Sequence, residues 1–186
     1  MARTPRLPQG GQSLFDTSSF SDQSWDDALQ ILTDDLCLSA EEDEESAGPY
    51  VLIVCADGGS RGNPGQAAYG ALVKDAATGE VLNREGLTLG IATNNVAEYS
   101  GLIAGLEMAR AINPHAALEV RMDSKLVIEQ MAGRWKTKHA DMKPLALAAR
   151  RLCTCAVAWV WVPRSENKEA DALVNAALDG APVRRK

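Results

Sequence analysis

From residue 50 onward the spacing of apolar positions changes in an ordered way. The run over 50–57 is rich in Val and Ile and reads as a strand, as do 67–74 and 81–89, with Thr78-Gly79 as the turn between the last two. Between the first two runs lies Gly58-Gly59-Ser60-Arg61-Gly62-Asn63-Pro64-Gly65, whose glycines and proline predict a turn, so that Asp57 closes the first strand. Three strands joined by short turns predict an antiparallel meander. The period then lengthens: Val96, Tyr99, Leu102, Ile103 and Leu106 share one face of a helix over 95–112. A strand over 117–122, helices over 124–132 and 141–152, an apolar strand over 156–162 and a helix over 167–178 complete the series. Hairpin strands followed by alternating helix and strand predict an α/β fold, a mixed sheet covered by helices.

Residues 1–48 break this pattern. They are rich in Ser, Asp, Gln and Glu, end in the acidic run 41–45, and hold too few apolar side chains to offset the entropy of ordering. They are expected to form a mostly disordered acidic tail. Within it Trp25, Leu29, Leu32 and Leu36 recur at helical spacing behind Ser24, which predicts a short amphipathic helix over 25–38, either docking on its own body or binding a protein partner. The domain layout is therefore a tail over 1–48, a folded domain over 49–180 and a basic end over 181–186.

A length of 186 residues suits one domain plus a tail. No apolar run approaches the roughly 18 residues of a membrane span, and the first residues lack the apolar stretch of a secretory signal, so a cytoplasmic, monomeric protein with reduced thiols is expected. Cys37, Cys55, Cys153 and Cys155 have no partners at zinc-site spacing. The net charge of −6 is unevenly spread: residues 1–48 carry two basic and eleven acidic side chains, which leaves the remainder mildly basic. The overall acidity therefore does not argue against a polyanionic partner.

Four carboxylates stand where such a fold brings chain ends together. Asp57 ends one strand, Asp123 follows another, and Glu98 and Asp171 fall in the first turns of two helices. Singly, each has an ordinary structural explanation: Glu98 completes capping-box spacing with Asn95, Asp123 can cap a helix, Asp171 suits a helix dipole, and Asp57 can start a turn. Together they form a set of hard oxygen donors without His or Cys, which suits Mg²⁺ or Mn²⁺ and the two-cation chemistry of phosphoryl transfer.

In order, the segments Ala56-Asp57-Gly58-Gly59-Ser60, Thr93-Asn94-Asn95-Val96-Ala97-Glu98-Tyr99, Met122-Asp123-Ser124 and Asn167-Lys168-Glu169-Ala170-Asp171 resemble the four acidic motifs of type 1 ribonuclease H, over about 50–179. The resemblance is greatest to the ribonuclease H module of two-domain proteins that carry a phosphatase-like domain. It implies a ribonuclease H-like fold with a five-stranded mixed sheet, three antiparallel strands and then parallel ones. It also implies hydrolysis of the RNA strand of RNA/DNA hybrids, leaving 5'-phosphate and 3'-hydroxyl ends, with Asp57, Glu98, Asp123 and Asp171 holding two Mg²⁺ (or Mn²⁺) ions. Asn63, Asn94 and Asn95 would then face the sugar-phosphate backbone and its 2'-hydroxyls, and Thr93 a phosphate of the DNA strand.

Two departures from that family stand out. Many bacterial members carry a histidine in the loop before the last acid. Here the loop reads Pro163-Arg164-Ser165-Glu166-Asn167, and Arg164 can contact phosphate but cannot shuttle a proton. His115 and His139 lie in other segments and read as solvated loop residues. The basic helical handle of longer members is reduced to Arg134, Trp135, Lys136 and Lys138, a short cationic patch with one aromatic platform. Trp159 and Trp161 alternate with Val160 and Val162 and read as sheet packing. The alternative reading is a non-catalytic module on the same fold that binds nucleic acid or a protein.

Overall fold

A computed structural model describes residues 50–185; the predicted acidic tail, its Trp25 to Leu36 helix and Cys37 lie outside the described residues. Within them the chain runs β1 (Val51–Gly62), β2 (Gly65–Asp75), β3 (Val81–Ala92), α1 (Asn94–Ile112), β4 (Ala117–Met122), α2 (Lys125–Met131), α3 (Lys143–Arg151), β5 (Val157–Trp161) and α4 (Lys168–Leu178), with a single 3-10 turn at Arg164–Glu166 before α4. The five strands form one sheet in the order β3-β2-β1-β4-β5. The first three pair antiparallel, while β4 pairs parallel with both β1 and β5. This is the mixed sheet that the hydrophobic periods predict.

Most boundaries move by one to three residues from the sequence reading, and the end of β1 moves furthest. Strand β1 does not stop at Asp57 but continues through the glycines to Gly62, pairing Asp57 with Gly70 and Gly62 with Gly65. Glycine is a poor strand former on its own, yet the antiparallel ladder to β2 supplies the backbone partners that local propensity lacks. The reversal contracts to Gly62–Gly65, where Gly62 takes a positive φ of 106°.

Alternation along the strands divides the core. Leu52, Val54 and Ala56 of β1, Ala71 and Val73 of β2, and Leu118, Val120 and Met122 of β4 face Tyr99, Leu102 and Leu106 of α1 and Val127 and Ile128 of α2, all buried. On the opposite face Cys55 and Leu72 meet Ala170 and Leu173 of α4. Each fully buried Leu, Val or Ile contributes about 2 kcal/mol of transfer free energy, so this shared core sets the positions of the strand ends and helix starts.

Glycines let the layers approach closely. A Cβ at Gly58 would lie 2.1 Å from the Glu98 backbone nitrogen, and one at Gly70 2.4 Å from the Ala170 carbonyl oxygen. The start of α1 therefore rests directly on β1, and the start of α4 on β2.

The basic end folds back on the domain. Val183 forms a bridge to Gly86 of β3, and Arg185 binds the buried Glu85 carboxylate, Nε to Oε2 at 2.7 Å, and Glu107 at 2.8 Å. The Tyr69 hydroxyl donates to the other Glu85 oxygen at 2.6 Å. Burial pushes the Glu85 carboxyl up, but the Arg185 and Tyr69 hydrogen bonds outweigh it and hold the group below its ordinary range.

Candidate active site

The parallel pairing of β1 and β4 puts Cys55 beside Arg121, so two residues further on Asp57 and Asp123 emerge side by side at the same edge of the sheet. The close approach at Gly58 brings Glu98 over them. Asp171 comes from the first turn of α4, which crosses β2 at Gly70. The four acids named from the sequence therefore converge, and each pair within Asp57, Glu98 and Asp123 feels the other's charge, with Asp171 adding to the field at Asp57.

Two of the capping explanations do not hold. Helix α1 begins at Asn94, one residue earlier than predicted, with Thr93 as its cap and the Thr93 Oγ1 accepting from the Val96 N–H at 3.3 Å. Glu98 consequently lies in the second turn, its side chain 7% exposed and turned into the carboxylate group instead of back to a capping position. Ser124, not Asp123, is the cap residue of α2, which leaves the Asp123 side chain for other partners.

Burial dominates the electrostatics. It pushes the Asp57 carboxyl up to about 7, reinforced by Asp123 and Asp171 and opposed by the Gly58 N–H, which donates to Asp57 Oδ1 at 2.8 Å, and by Arg164. Burial likewise pushes Glu98 up to about 9, with the Asp57 and Asp123 charges adding to it and Asn94 and Arg164 opposing. Glu98 Oε1 has a long contact of 3.4 Å from Asn94 Nδ2, and the buried Glu98 Oε2 has no hydrogen-bond partner among the described residues. A buried carboxylate oxygen without a donor is costly unless something else binds it.

The other two acids are already engaged. Asn167, almost fully buried, donates through Nδ2 to Asp123 Oδ1 at 2.7 Å and to the Ala56 carbonyl at 2.9 Å. Asp171 is paired with Arg164 through Oδ1 and accepts from Asn175 Nδ2 at Oδ2, 3.0 Å. Among the described residues, no three His, Cys, Asp or Glu side chains are drawn together tightly enough to cage an ion as they stand. The donor set nonetheless fits hard divalent cations: all-oxygen, mutually repelling, and with one oxygen left unpartnered. Arg164 and Asn167 take up oxygens of Asp171 and Asp123.

Apart from Arg164, which is paired with Asp171, the residues expected to hold a substrate fall into two groups. Asn63, Thr93, Asn94 and Asn95 gather beside Glu98, where Asn63 Oδ1 accepts from the Asn94 N–H at 3.1 Å. Arg134, Trp135, Lys136 and Lys138 lie on a separate exposed loop after α2, with Trp135 48% exposed. Within that loop Arg134 is not an unpaired cation: its guanidinium forks onto Glu129 at 2.6 and 3.1 Å. His115 and His139 are exposed in loops, as expected.

Sequence reasoning missed several contacts. Asn167 was visible only as part of a motif, and its bridging role depends on a partner 44 residues away. Trp159 packs on the core, but Trp161 does not: it is half exposed, and its indole N–H donates to the Asp123 carbonyl at 3.0 Å. Strict alternation along an edge strand does not reveal that the last position reaches the Asp123 backbone.

A five-stranded mixed sheet with acids from β1, α1, the end of β4 and α4 meeting at one place defines the class, the ribonuclease H-like fold. Residues 55–177 match the family model described as reverse transcriptase-like. The bifunctional protein Rv2228c of Mycobacterium tuberculosis is 51% identical over 132 residues, 70% of this chain and 36% of that protein. Ribonuclease HI of Halobacterium salinarum is 45% identical over 127 residues, 67% of this chain and 63% of that enzyme. Among solved structures, the N-terminal RNase H domain of Rv2228c superposes with a TM-score of 0.67 at 49% identity, covering 71% of this chain and 96% of that one. LC11-RNase H1 in complex with an RNA/DNA hybrid gives 0.66 at 37% identity, covering 70% and 98%. The chain belongs to the ribonuclease H family, type 1, and spans about a third of the length of the mycobacterial relatives it matches.

Proposed function

We propose that the domain over 49–180 is an endoribonuclease that hydrolyses the RNA strand of RNA/DNA hybrids, leaving 5'-phosphate and 3'-hydroxyl ends. Asp57, Glu98, Asp123 and Asp171 would hold two Mg²⁺ or Mn²⁺ ions. The observation that carries the reading is that Asp57, Glu98 and Asp123 lie within one another's field, with Asp171 adding to it at Asp57, while among the described residues Glu98 Oε2 has no hydrogen-bond partner. The ions, when bound, supply the activation of water and the neutralisation of charge on the scissile phosphate.

The chain's own residues do the rest. Asp57 sits on the central strand of the sheet, Glu98 and Asp171 on helices, and Asn167 holds the Asp123 carboxylate just past β4, so the ligand oxygens are positioned by regular elements and a buried amide. Arg164 places a positive charge on Asp171, competes there with a bound cation, and once displaced is free to contact a phosphate. Asn63, Thr93, Asn94 and Asn95 present amides and a hydroxyl at the edge of the site, suited to the 2'-hydroxyl and to backbone phosphate. Trp135, Lys136 and Lys138, with Arg134 beside them, suit the DNA strand further along the hybrid.

Incubation of the chain with an end-labelled hybrid and Mg²⁺ or Mn²⁺ tests the reading. Cleavage confined to the RNA strand, and lost by about a thousandfold in Asp57→Asn, is the expected result. Equal inactivity of the folded wild type and of Asp57→Asn overturns it. Salt-dependent hybrid binding without cleavage at any metal concentration would favour a binding module instead.

A further inference from the structure

Glu98 is followed on α1 by Tyr99, a fully buried side chain that faces away from the carboxylates and toward α2. Its hydroxyl donates to Gln130 Oε1 at 2.7 Å. Gln130, the penultimate residue of α2, is itself buried, and its Nε2 donates to the Lys136 carbonyl at 3.3 Å. The side chain of Thr137 lies within hydrogen-bonding reach of the same Tyr99 hydroxyl. The Gln130 backbone carbonyl accepts from Arg150 Nη2 at 2.8 Å, which anchors this end of α2 to α3.

The loop that carries the cationic patch is therefore held at two levels. Its start is tied by backbone, since the Arg134 and Trp135 N–H groups both donate to the Glu129 carbonyl at 3.0 Å. Further along, side chains reach out of the core to the loop: Gln130 Nε2 meets the Lys136 carbonyl, and the Tyr99 hydroxyl faces Thr137. A primary amide has chemically distinct ends: once the phenol O–H occupies Oε1, Nε2 must meet an acceptor, and the Lys136 carbonyl is the one in place. The Tyr99 hydroxyl thus orients the amide, and the amide orients the peptide that follows Trp135.

We infer that Tyr99 and Gln130 are positioning residues that hold the Trp135–Lys138 segment in register with the carboxylate-bearing helix for gripping a hybrid. The inference rests on the reading of that loop as a substrate contact. Neither residue touches substrate. Their effect is preorganisation: an exposed loop already held in its binding conformation loses less freedom when a nucleic-acid backbone settles on it. The consequence falls on binding, because the reacting groups stand on β1, just past the end of β4, and on α1 and α4, and are held by other contacts.

The test compares the full chain with Gln130→Leu, Tyr99→Phe and Trp135→Ala, using amide hydrogen exchange without substrate and steady-state cleavage of a labelled hybrid with Mg²⁺ or Mn²⁺. Tyr99→Phe removes a single oxygen and keeps the ring in the core, so it covers the case in which Gln130→Leu does not fold. In both pin variants, amides of residues 136–138 are expected to exchange about fivefold faster, the factor equivalent to one ordinary hydrogen bond, while those of β1 and β4 keep their rates. KM is expected to rise by a similar factor and kcat to move less. Wild-type exchange in the loop of both variants overturns the inference, as does a fall in kcat at constant KM, the mark of a purely structural role. If Trp135→Ala leaves KM at the wild-type value, the loop does not grip substrate and the positioning role falls with it. Failure of the wild type to cleave at all points instead to the functional reading, and the exchange data still decide whether the pin exists.

Discussion

The Asn167 amide and the Asp123 carboxylate, 44 residues apart, share a hydrogen bond of 2.7 Å, and the same amide nitrogen reaches the Ala56 carbonyl one residue before Asp57. A single buried side chain thereby ties the approach to α4 to both strands that carry the central acids. Asn167→Ala is expected to lower stability by about 2 kcal/mol, the scale of losing a buried hydrogen bond to a charged group. It also frees the Asp123 carboxylate to change rotamer, so hybrid cleavage should fall more than the loss of folded protein explains. Urea unfolding alongside cleavage assays separates the two.

The raised carboxyls predict an unusual pH dependence in the metal-free protein. Glu98 and Asp57 hold protons more tightly in the folded chain, near 9 and 7, than at their ordinary values of 4.5 and 3.8. A group raised by folding contributes stability that is fully present below its unfolded value and lost as pH rises through the folded one. With EDTA present, Tm should therefore decline as pH rises from about 5 to about 9. Mg²⁺ or Mn²⁺ should flatten that decline, and Glu98→Gln should abolish most of it. Calorimetry at a series of pH values reads all three.

The contact between β1 and α1 has no room for a side chain. Gly58→Ala would drive a methyl to within 2.1 Å of the Glu98 nitrogen, a backbone atom that rotamer changes cannot move aside. Overpacking of this kind costs about 3 kcal/mol, and the start of α1 must shift to relieve it. Thermal unfolding should show the loss, with residual activity falling further because Glu98 moves with the helix.

The tie between the basic end and β3 predicts a stability effect far from the acids. Arg185→Ala leaves the buried Glu85 with the Tyr69 hydroxyl as its one hydrogen-bond donor among the described residues, at a cost of about 2 kcal/mol, reduced from the full penalty of a broken buried pair because the Arg185 side chain is 36% exposed. Glu85 is held below its ordinary range, so its contribution is present above the unfolded value and is lost as pH falls through the folded one. The difference in Tm between wild type and Arg185→Ala should accordingly shrink in strong acid.

Much was legible in the chain itself. Periods of two and of 3.6 residues give the types and order of the strands and helices because each element must bury one face, and that demand is written locally. The four acidic segments were legible too, since each sets a carboxylate in or next to a strand or helix that the periods reveal. Only the folded structure decided what the side chains meet. It carried β1 past Asp57 to Gly62, because ladder partners on β2 replace the missing propensity of glycine. It left Glu98 Oε2 without a donor, seated Arg164 on Asp171, and linked Tyr99 through Gln130 to the Lys136 carbonyl. Each of these joins positions with no periodic relation, set by how layers stack and which rotamers the packing admits.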